Sequence, residues 1–201
     1  LWPNAYSDRN TALCRQKDSQ GHFDLHFAKP DERGYIDSLD FRVNGQKLAW
    51  GLEPDNPDIA WLALPKAIAT GEKITISTPF HVKVPDAKFS RLGHTGQAFY
   101  ITQWYPKPAV YDNSGWHAMP FLDQGEFYSE FGSFDVSITL PANYVVGATG
   151  QLQDDHAEEA WMDSLAAVTP TFMMNAGRLD AFPPSSLRMK TLRFKQDHVH
   201  E

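Results

Sequence analysis

An aromatic stretch in the middle of the chain reads Tyr100-Ile-Thr-Gln-Trp-Tyr-Pro106, and a second one reads Gly125-Glu-Phe-Tyr-Ser-Glu-Phe-Gly-Ser-Phe-Asp-Val136. The apolar run Ala98–Tyr105 predicts a strand that is covered on both faces. It carries one amide side chain, Gln103, among aromatic neighbours. The second stretch leads into Phe134–Leu140, whose strict alternation predicts a half-buried strand. We therefore expect sheet structure to form the framework of the fold.

The rest of the chain is predicted to be sheet with one late helix. Further strands are predicted at His22–Phe27, Leu39–Val43, Gln46–Trp50, Ile59–Leu64, Lys73–Phe80, Tyr144–Ala148 and Leu187–Phe194. Asn44-Gly45 predicts a type I′ turn between the second and third of these. The helix is predicted to begin at Asp154 or Asp155 and to end at Thr169-Pro170, whereas residues 1–21 are predicted to be irregular. About eight to ten short strands of this kind favour antiparallel sheets packed as a β-sandwich.

Composition excludes several classes of partner. The chain has 201 residues and a net charge of −7. Nucleic acids and anionic membranes both bind basic surfaces, so neither is expected as a partner. No apolar run approaches the roughly 20 residues of a membrane-spanning helix. Cys14 is the single cysteine, so an intrachain disulfide is impossible, and a small buried apolar role is expected for it.

The histidine spacing predicts no metal site. His22 and His26 are four residues apart, and on the predicted strand this spacing separates them by about 13 Å at about 3.3 Å per residue. Zinc lies about 2.1 Å from its nitrogen ligands, so two histidines that far apart cannot share one ion. His198 and His200 lie in a polar tail at the end of the sequence. We therefore expect no metal ligands in this chain.

The acidic residues also fall short of a catalytic set. Glu126 and Glu130 on one face of an extended segment are about 13 Å apart, whereas paired catalytic carboxylates of glycosidases are about 5–9.5 Å apart. The sequence contains no glycine-rich phosphate loop, nucleophile elbow or cysteine cluster. Nine aromatic residues fall between Trp104 and Phe134, and some of them are expected to line a domain interface or a ligand cleft.

Four elements of the central region occur in an order that is known from one peptidase family. They are Thr102-Gln103, Pro106, Glu130-Phe131 and the strand Phe134–Pro141. In this respect the chain resembles the N-terminal domain of the aminopeptidase N-like zinc metallopeptidases, the gluzincin aminopeptidase family. The run Tyr111–Ser137 is especially similar to a bacterial branch of that family, and weaker similarity covers most of the remaining chain.

The resemblance implies a fold and a role. The implied fold is a mostly β, saddle-shaped antiparallel β-sandwich that spans residues 1–201 as a single domain. The implied role is non-catalytic: the domain docks on its own catalytic domain and forms one wall of the cleft that holds a peptide substrate. Zinc and the motif His-Glu-x-x-His belong to that catalytic domain, and the motif does not occur here. The chain is thus expected to be a fragment of a larger enzyme that needs no cofactor of its own.

Two residues are implied as substrate-binding. Gln103 matches the family residue that contacts the substrate. Tyr105 stands where the family has an acidic or amide residue that helps to bind the free amine of a peptide, so amine recognition would have to come from another residue. The bacterial branch is often exported, which implies a periplasmic or secreted protein.

Two functions of other classes remain open. The exposed aromatic residues are also compatible with a free-standing module that binds carbohydrate or peptide. An independent hydrolase would need a bend at Gly125 or Gly132 that brings Glu126 and Glu130 closer together.

Overall fold

The computed structural model describes residues 1–125, 127–154, 156–175 and 183–200. Strands hold 30% of the residues and helices 14%, so the prediction of a mostly β chain is confirmed. The sheets are small and antiparallel, with two or three strands each among the described residues. The chain divides into two compact units, Leu1–Tyr128 and Ser129–Glu201.

The first unit contains a 3₁₀ helix, one α-helix and eleven short strands in its described part. In chain order these are the 3₁₀ helix Trp2–Tyr6, α1 (Ala12–Ser19), β1 (Tyr35–Asp37), β2 (Arg42–Val43), β3 (Gln46–Lys47), β4 (Ala49–Leu52), β5 (Ala60–Ala63), β6 (Ile76–Ser77), β7 (His81–Lys83), β8 (Gly93–Thr95), β9 (Ala98–Tyr100), β10 (Val110–Asp112) and β11 (Gly115–His117). Their sheets are β1–β7, β3–β2–β6, β4–β5, β8–β9 and β10–β11.

Helix α1 corrects the prediction that residues 1–21 are irregular. Thr11 caps it, since its hydroxyl oxygen accepts a hydrogen bond from the backbone N–H of Cys14 at 3.3 Å. Leu13, Cys14 and Lys17 are its buried residues. So short a helix gains its stability from tertiary packing, and a pattern of three inward residues is too weak to be seen in the sequence.

The predicted strand His22–Phe27 was wrong, because none of these residues is in a strand and Asp24–Phe27 form a turn. The backbone N–H of Phe27 donates to the carbonyl oxygen of Phe23 at 3.1 Å, which is a local contact. Leu25 is buried, but Phe23 and Phe27 are exposed. The alternating pattern therefore marked one core residue rather than one face of a sheet.

The predicted turn at Asn44-Gly45 is confirmed. Asn44 has φ +50° and Gly45 has φ +79°, as a type I′ turn requires. It joins β2 to β3, with Val43 opposite Gln46 and Arg42 opposite Lys47. Beyond Lys47 the chain leaves this hairpin, and β4 pairs with β5 instead.

Two hydrophobic clusters form the core of the first unit. The first consists of Ala5, Tyr6, Leu13, Cys14, Leu25, Phe89, Leu92 and Phe121. The second consists of Leu1, Ile36, Phe41, Val43 and Leu48. The expectation that Cys14 is a small buried residue is confirmed, since its accessible surface is 0%.

The strand predicted over Ala98–Tyr105 is much shorter than expected. Only β9, Ala98–Tyr100, pairs with a neighbour, and the rings of Phe99 and Tyr100 are exposed rather than covered. The backbone leaves the extended conformation at Gln103, which has φ +51°. Aromatic composition alone could not reveal that turn.

The second unit holds three strands and one helix in its described part: β12 (Gly132–Pro141), β13 (Gln151–Leu152), α2 (Ala157–Asn175) and β14 (Met189–Val199). The strand order is β12-β14-β13, with Ile138 opposite Leu192. The long strands confirm the predictions at Phe134–Leu140 and Leu187–Phe194, although β14 begins two residues later.

One prediction in the second unit was wrong, and another was wrong in part. Residues Tyr144–Ala148 are not a strand. The late helix exists, but α2 continues past Thr169-Pro170 to Asn175. It is also preceded by α1, so the chain has two α-helices among the described residues. Neither helix has the length and apolar character needed to cross a bilayer.

Candidate functional site

Gln103 combines an unusual backbone with an unpaired amide. Its φ of +51° lies in the left-handed region, which residues other than glycine rarely adopt. Its Oε1 atom is enclosed by protein and has no hydrogen-bond partner. An unpaired buried acceptor costs about 1–3 kcal/mol, so two unfavourable features coincide at one residue.

Trp104 explains why the chain turns at this point. Its ring packs against the first hydrophobic cluster. The same ring lies 5.7 Å from that of Phe80, and Phe80 packs against the second cluster. Trp104 thus connects both cores of the first unit, and the positive φ of the preceding Gln103 accompanies this inward turn.

Tyr105 lies beside Trp104, with ring centroids 5.8 Å apart and an edge-on angle of 71°. Both Gln103 and Tyr105 are half-buried. The two predicted substrate-binding residues therefore flank a fixed aromatic anchor. Gln103 presents a polar group and Tyr105 a ring.

Apolar surface precedes Gln103 in the chain. Phe99, Tyr100 and Ile101 are all about half exposed. The ring of His94 on β8 stacks on Phe99, with centroids 5.6 Å apart. The end of the β8–β9 hairpin is therefore an exposed aromatic surface next to the half-buried amide.

A second exposed aromatic pair lies on the β10–β11 hairpin. Tyr111 and Trp116 are opposite each other in the strand register, and their rings are 5.0 Å apart. Their exposed fractions are 67% and 69%. Cross-strand aromatic pairs stabilise hairpins, but two large rings this exposed also offer a contact surface.

A polar group that sequence analysis missed lies at the end of the same hairpin. The Nε2 atom of His117 is 2.8 Å from Oδ1 of Asp112, and the Tyr128 hydroxyl donates to Oδ2 of Asp112 at 3.1 Å. His117 first, and the backbone N–H of Ser114 next, hold the pKa of the Asp112 carboxyl below its usual value. The turn signal Asn113-Ser114 could have predicted a hairpin in which Asp112 lies opposite Gly115, so that Asp112 and His117 are diagonal neighbours on one face.

Two depressions lie within the first unit. One has a volume of about 80 Å³ and is bordered by Trp2, Lys107, His117 and Tyr128. The other, of about 440 Å³, lies beside the Lys66–Glu72 ion pair. Gln103 and Tyr105 line neither of them. Pockets for small molecules usually have volumes of about 300–1,000 Å³, so the first depression is too small to be one.

Only one residue of the carboxylate pair considered for hydrolysis lies in the described part of the chain. Glu126 lies outside the described residues, and Glu130 is exposed. Their separation therefore remains a prediction.

No protein-family model matches the chain, and no curated protein or solved structure matches it either. Its function is therefore inferred from its residues and their geometry.

Proposed function

We propose that this chain is the non-catalytic N-terminal domain of an aminopeptidase-like zinc peptidase. In this proposal residues 1–201 form one saddle-shaped β-sandwich that docks on the enzyme's own catalytic domain. It closes one wall of the substrate cleft and presents Gln103 to a bound peptide. The catalytic domain supplies the zinc and the reacting groups. The supporting observation is the unpaired Oε1 of Gln103 on a strained backbone.

The chemistry of Gln103 suits a peptide ligand. Its amide oxygen accepts hydrogen bonds, and a peptide backbone offers N–H donors. A left-handed conformation at a residue other than glycine costs about 1–3 kcal/mol, and such strain is concentrated at ligand-binding and active sites. Because Oε1 is enclosed in the free protein, this proposal requires the half-buried side chain to reorient when a peptide binds. The donor would satisfy the acceptor that the free protein leaves unpaired.

Tyr105 has a different role in this proposal. Its ring packs edge-on against Trp104 and is half-buried, so it can form an apolar wall of the cleft. A phenol lacks the negative charge that would attract an ammonium group. The free amine of a substrate would then be bound by the catalytic domain. The enzyme would select less strictly for peptides with a free amine than a typical aminopeptidase does.

The exposed aromatic residues of the two hairpins are assigned to the docking surface. Phe99 and Tyr100 belong to β9, whereas Tyr111 and Trp116 belong to β10 and β11. Aromatic rings are enriched at the centres of protein interfaces. The proposed partner is the catalytic domain of the same enzyme, because the resemblance implies such a domain and the net charge of −7 disfavours nucleic acid and anionic lipid.

Kinetics of the full-length enzyme test the role of Gln103. We expect Gln103→Ala to lower kcat/KM by about ten- to a hundredfold, which corresponds to about 1–3 kcal/mol for one lost hydrogen bond. The melting temperature should change little. Gln97→Ala is the matched control, because Gln97 is a half-buried amide in the turn between β8 and β9. Unchanged kinetics together with a large loss of stability would show that Gln103 is structural.

A free-standing binding module is the second candidate. The exposed pair Tyr111 and Trp116 favours it, since sugar rings and peptides stack on such surfaces. Calorimetry on this chain with glycans and peptides separates the two candidates. Heat of binding that is lost in Trp116→Ala would favour the module, and no heat would count against it.

A further inference from the structure

Three side chains that can bind metals meet on one side of α1. Cys14, Asp18 and His26 each offer a ligand atom, and these atoms all lie within 4.8 Å of one another. Cys14 is fully buried, and the other two are partly buried. The group is separate from Gln103 and from the aromatic hairpins in sequence, and the proposed function does not use it.

The helix brings the first two of these residues together. Cys14 and Asp18 are four residues apart on α1, so their side chains lie on one face, one turn apart. Thr11 fixes the start of the helix, because it caps the N–H of Cys14 and donates from its hydroxyl to the carbonyl oxygen of Ala5 at 2.7 Å. Both ligands are therefore held by a capped and buried helix.

The following turn supplies the third residue. Leu25 is buried and anchors the turn. The Nη2 atom of Arg33 donates to the carbonyl oxygens of Leu25 at 3.0 Å and His26 at 3.2 Å, which holds the backbone that carries the imidazole. The Nδ1 atom of His26 then lies 2.8 Å from Oδ2 of Asp18. The expectation that His26 binds no metal depended on a strand that does not exist.

One atom in the group is left without a partner. Oδ1 of Asp18 is enclosed by protein and makes no hydrogen bond. The Cys14 thiol is buried in the same place with no disulfide partner. An unpaired carboxylate oxygen beside a thiol and an imidazole is the donor set that a borderline divalent cation prefers.

We propose that Cys14, Asp18 and His26 form a binding site for a divalent transition metal ion of the Zn²⁺ class. The thiolate, carboxylate and imidazole supply three ligands, and water supplies the fourth, which gives the tetrahedral coordination usual for zinc. Zinc lies about 2.0–2.3 Å from each ligand, so small side-chain adjustments must arrange the three atoms, which lie within 4.8 Å of one another, around one ion. The bound ion connects α1 to the turn that follows it.

Charges around the site both favour and oppose a cation. Binding displaces one proton from the thiol, and the thiolate and Asp18 then provide two negative charges. Asp8 and Asp24 lie close enough to add negative potential at Cys14. Arg33 opposes them with one positive charge.

A catalytic cysteine explains the same residues less well. Burial raises the pKa of the Cys14 thiol to about 11, and the negative charge of Asp18 adds to the effect. Reactive cysteines have lowered pKa values and are partly exposed. Cys14 is fully buried instead, so its thiol is shielded from solvent and from a substrate.

Titration of the full chain with Co²⁺ tests the site directly. We expect one Co²⁺ per chain, a charge-transfer absorption from the cobalt–thiolate bond, and displacement of the Co²⁺ by Zn²⁺. Added Zn²⁺ should also raise the melting temperature, because it binds the folded state. Cys14→Ser should abolish the charge-transfer absorption. His26→Gln should weaken Zn²⁺ binding by more than about tenfold. The loss of a residue that only supports a metal ligand already lowers the metal affinity by about that factor.

His81→Gln is the matched control. His81 pairs with Asp37 at 3.0 Å, as His26 pairs with Asp18, but at exposed positions of the strands β1 and β7. It should bind Zn²⁺ like the unchanged chain. Should Cys14→Ser fail to fold, His26→Gln and Asp18→Asn carry the test, because both positions are partly exposed. Cobalt binding without a thiolate absorption, no saturable binding, or full affinity in His26→Gln would each overturn the site.

Discussion

At the scale of single residues, the conformation of Gln103 can be separated from the chemistry of its side chain. Both Gln103→Ala and Gln103→Gly remove the amide, but only glycine adopts a φ near the observed +51° without steric cost. We expect Gln103→Gly to be more stable than Gln103→Ala by about 1 kcal/mol in urea unfolding. Equal stabilities would contradict the left-handed conformation.

Gln103 also shows what sequence could and could not predict about the site. An amide within an aromatic run identified it, and the adjoining Pro106 indicated a break. Its positive φ accompanies the packing of Trp104 against the first hydrophobic cluster and against Phe80, and these contacts involve residues far away in the chain. Long-range packing of this kind leaves no local pattern in the sequence.

At the scale of elements, the β12–β14 pair makes a prediction about pH. The Arg193 guanidinium on β14, hydrogen-bonded to Asp135 on β12 at 2.6 Å, lowers the pKa of that carboxyl from 3.8 to about 2. Because the pKa of this carboxyl is lower in the folded protein than in the unfolded chain, the ionised carboxyl stabilises the fold at pH values above its pKa in the unfolded chain. This contribution is lost as the pH falls through its pKa in the folded protein. The effect is small, because both side chains are exposed.

Melting curves between about pH 4 and about pH 2 measure this contribution. The unchanged chain should lose more stability over that range than Asp135→Asn, in which the carboxyl is missing. Asp163→Asn, on the exposed face of α2, is the control and should follow the unchanged chain. Identical profiles for all three proteins would show that the Asp135–Arg193 pair does not form in solution.

Elements were predicted well where local chemistry determines them. Asn44-Gly45 specifies its turn, and the alternation at Phe134–Leu140 specifies a strand, which pairs with β14. His22–Phe27 failed because the same alternation arose around a single buried residue, Leu25. The argument against a metal ligand at His26 relied on this predicted strand. The wrong secondary structure therefore made the reasoning about the metal site wrong as well.

At the scale of the whole molecule, alternating segments and turn signals predicted the β-rich class, and the structure adds two compact units to it. A single β-sandwich domain remains a prediction, as do the docking on a catalytic domain and the cleft that holds a peptide. These proposals depend on the order of Thr102-Gln103, Pro106 and Glu130-Phe131, and on the unpaired amide of Gln103.

The coding sequence downstream of Glu201 tests the central claim most directly. A domain of a zinc peptidase should be followed in the same reading frame by His-Glu-x-x-His, about a hundred residues further on, and by a more distant glutamate. The two histidines and that glutamate would hold the zinc, and the first glutamate would act as general base. A stop codon close after Glu201, or a continuing chain without this motif, would contradict the assignment.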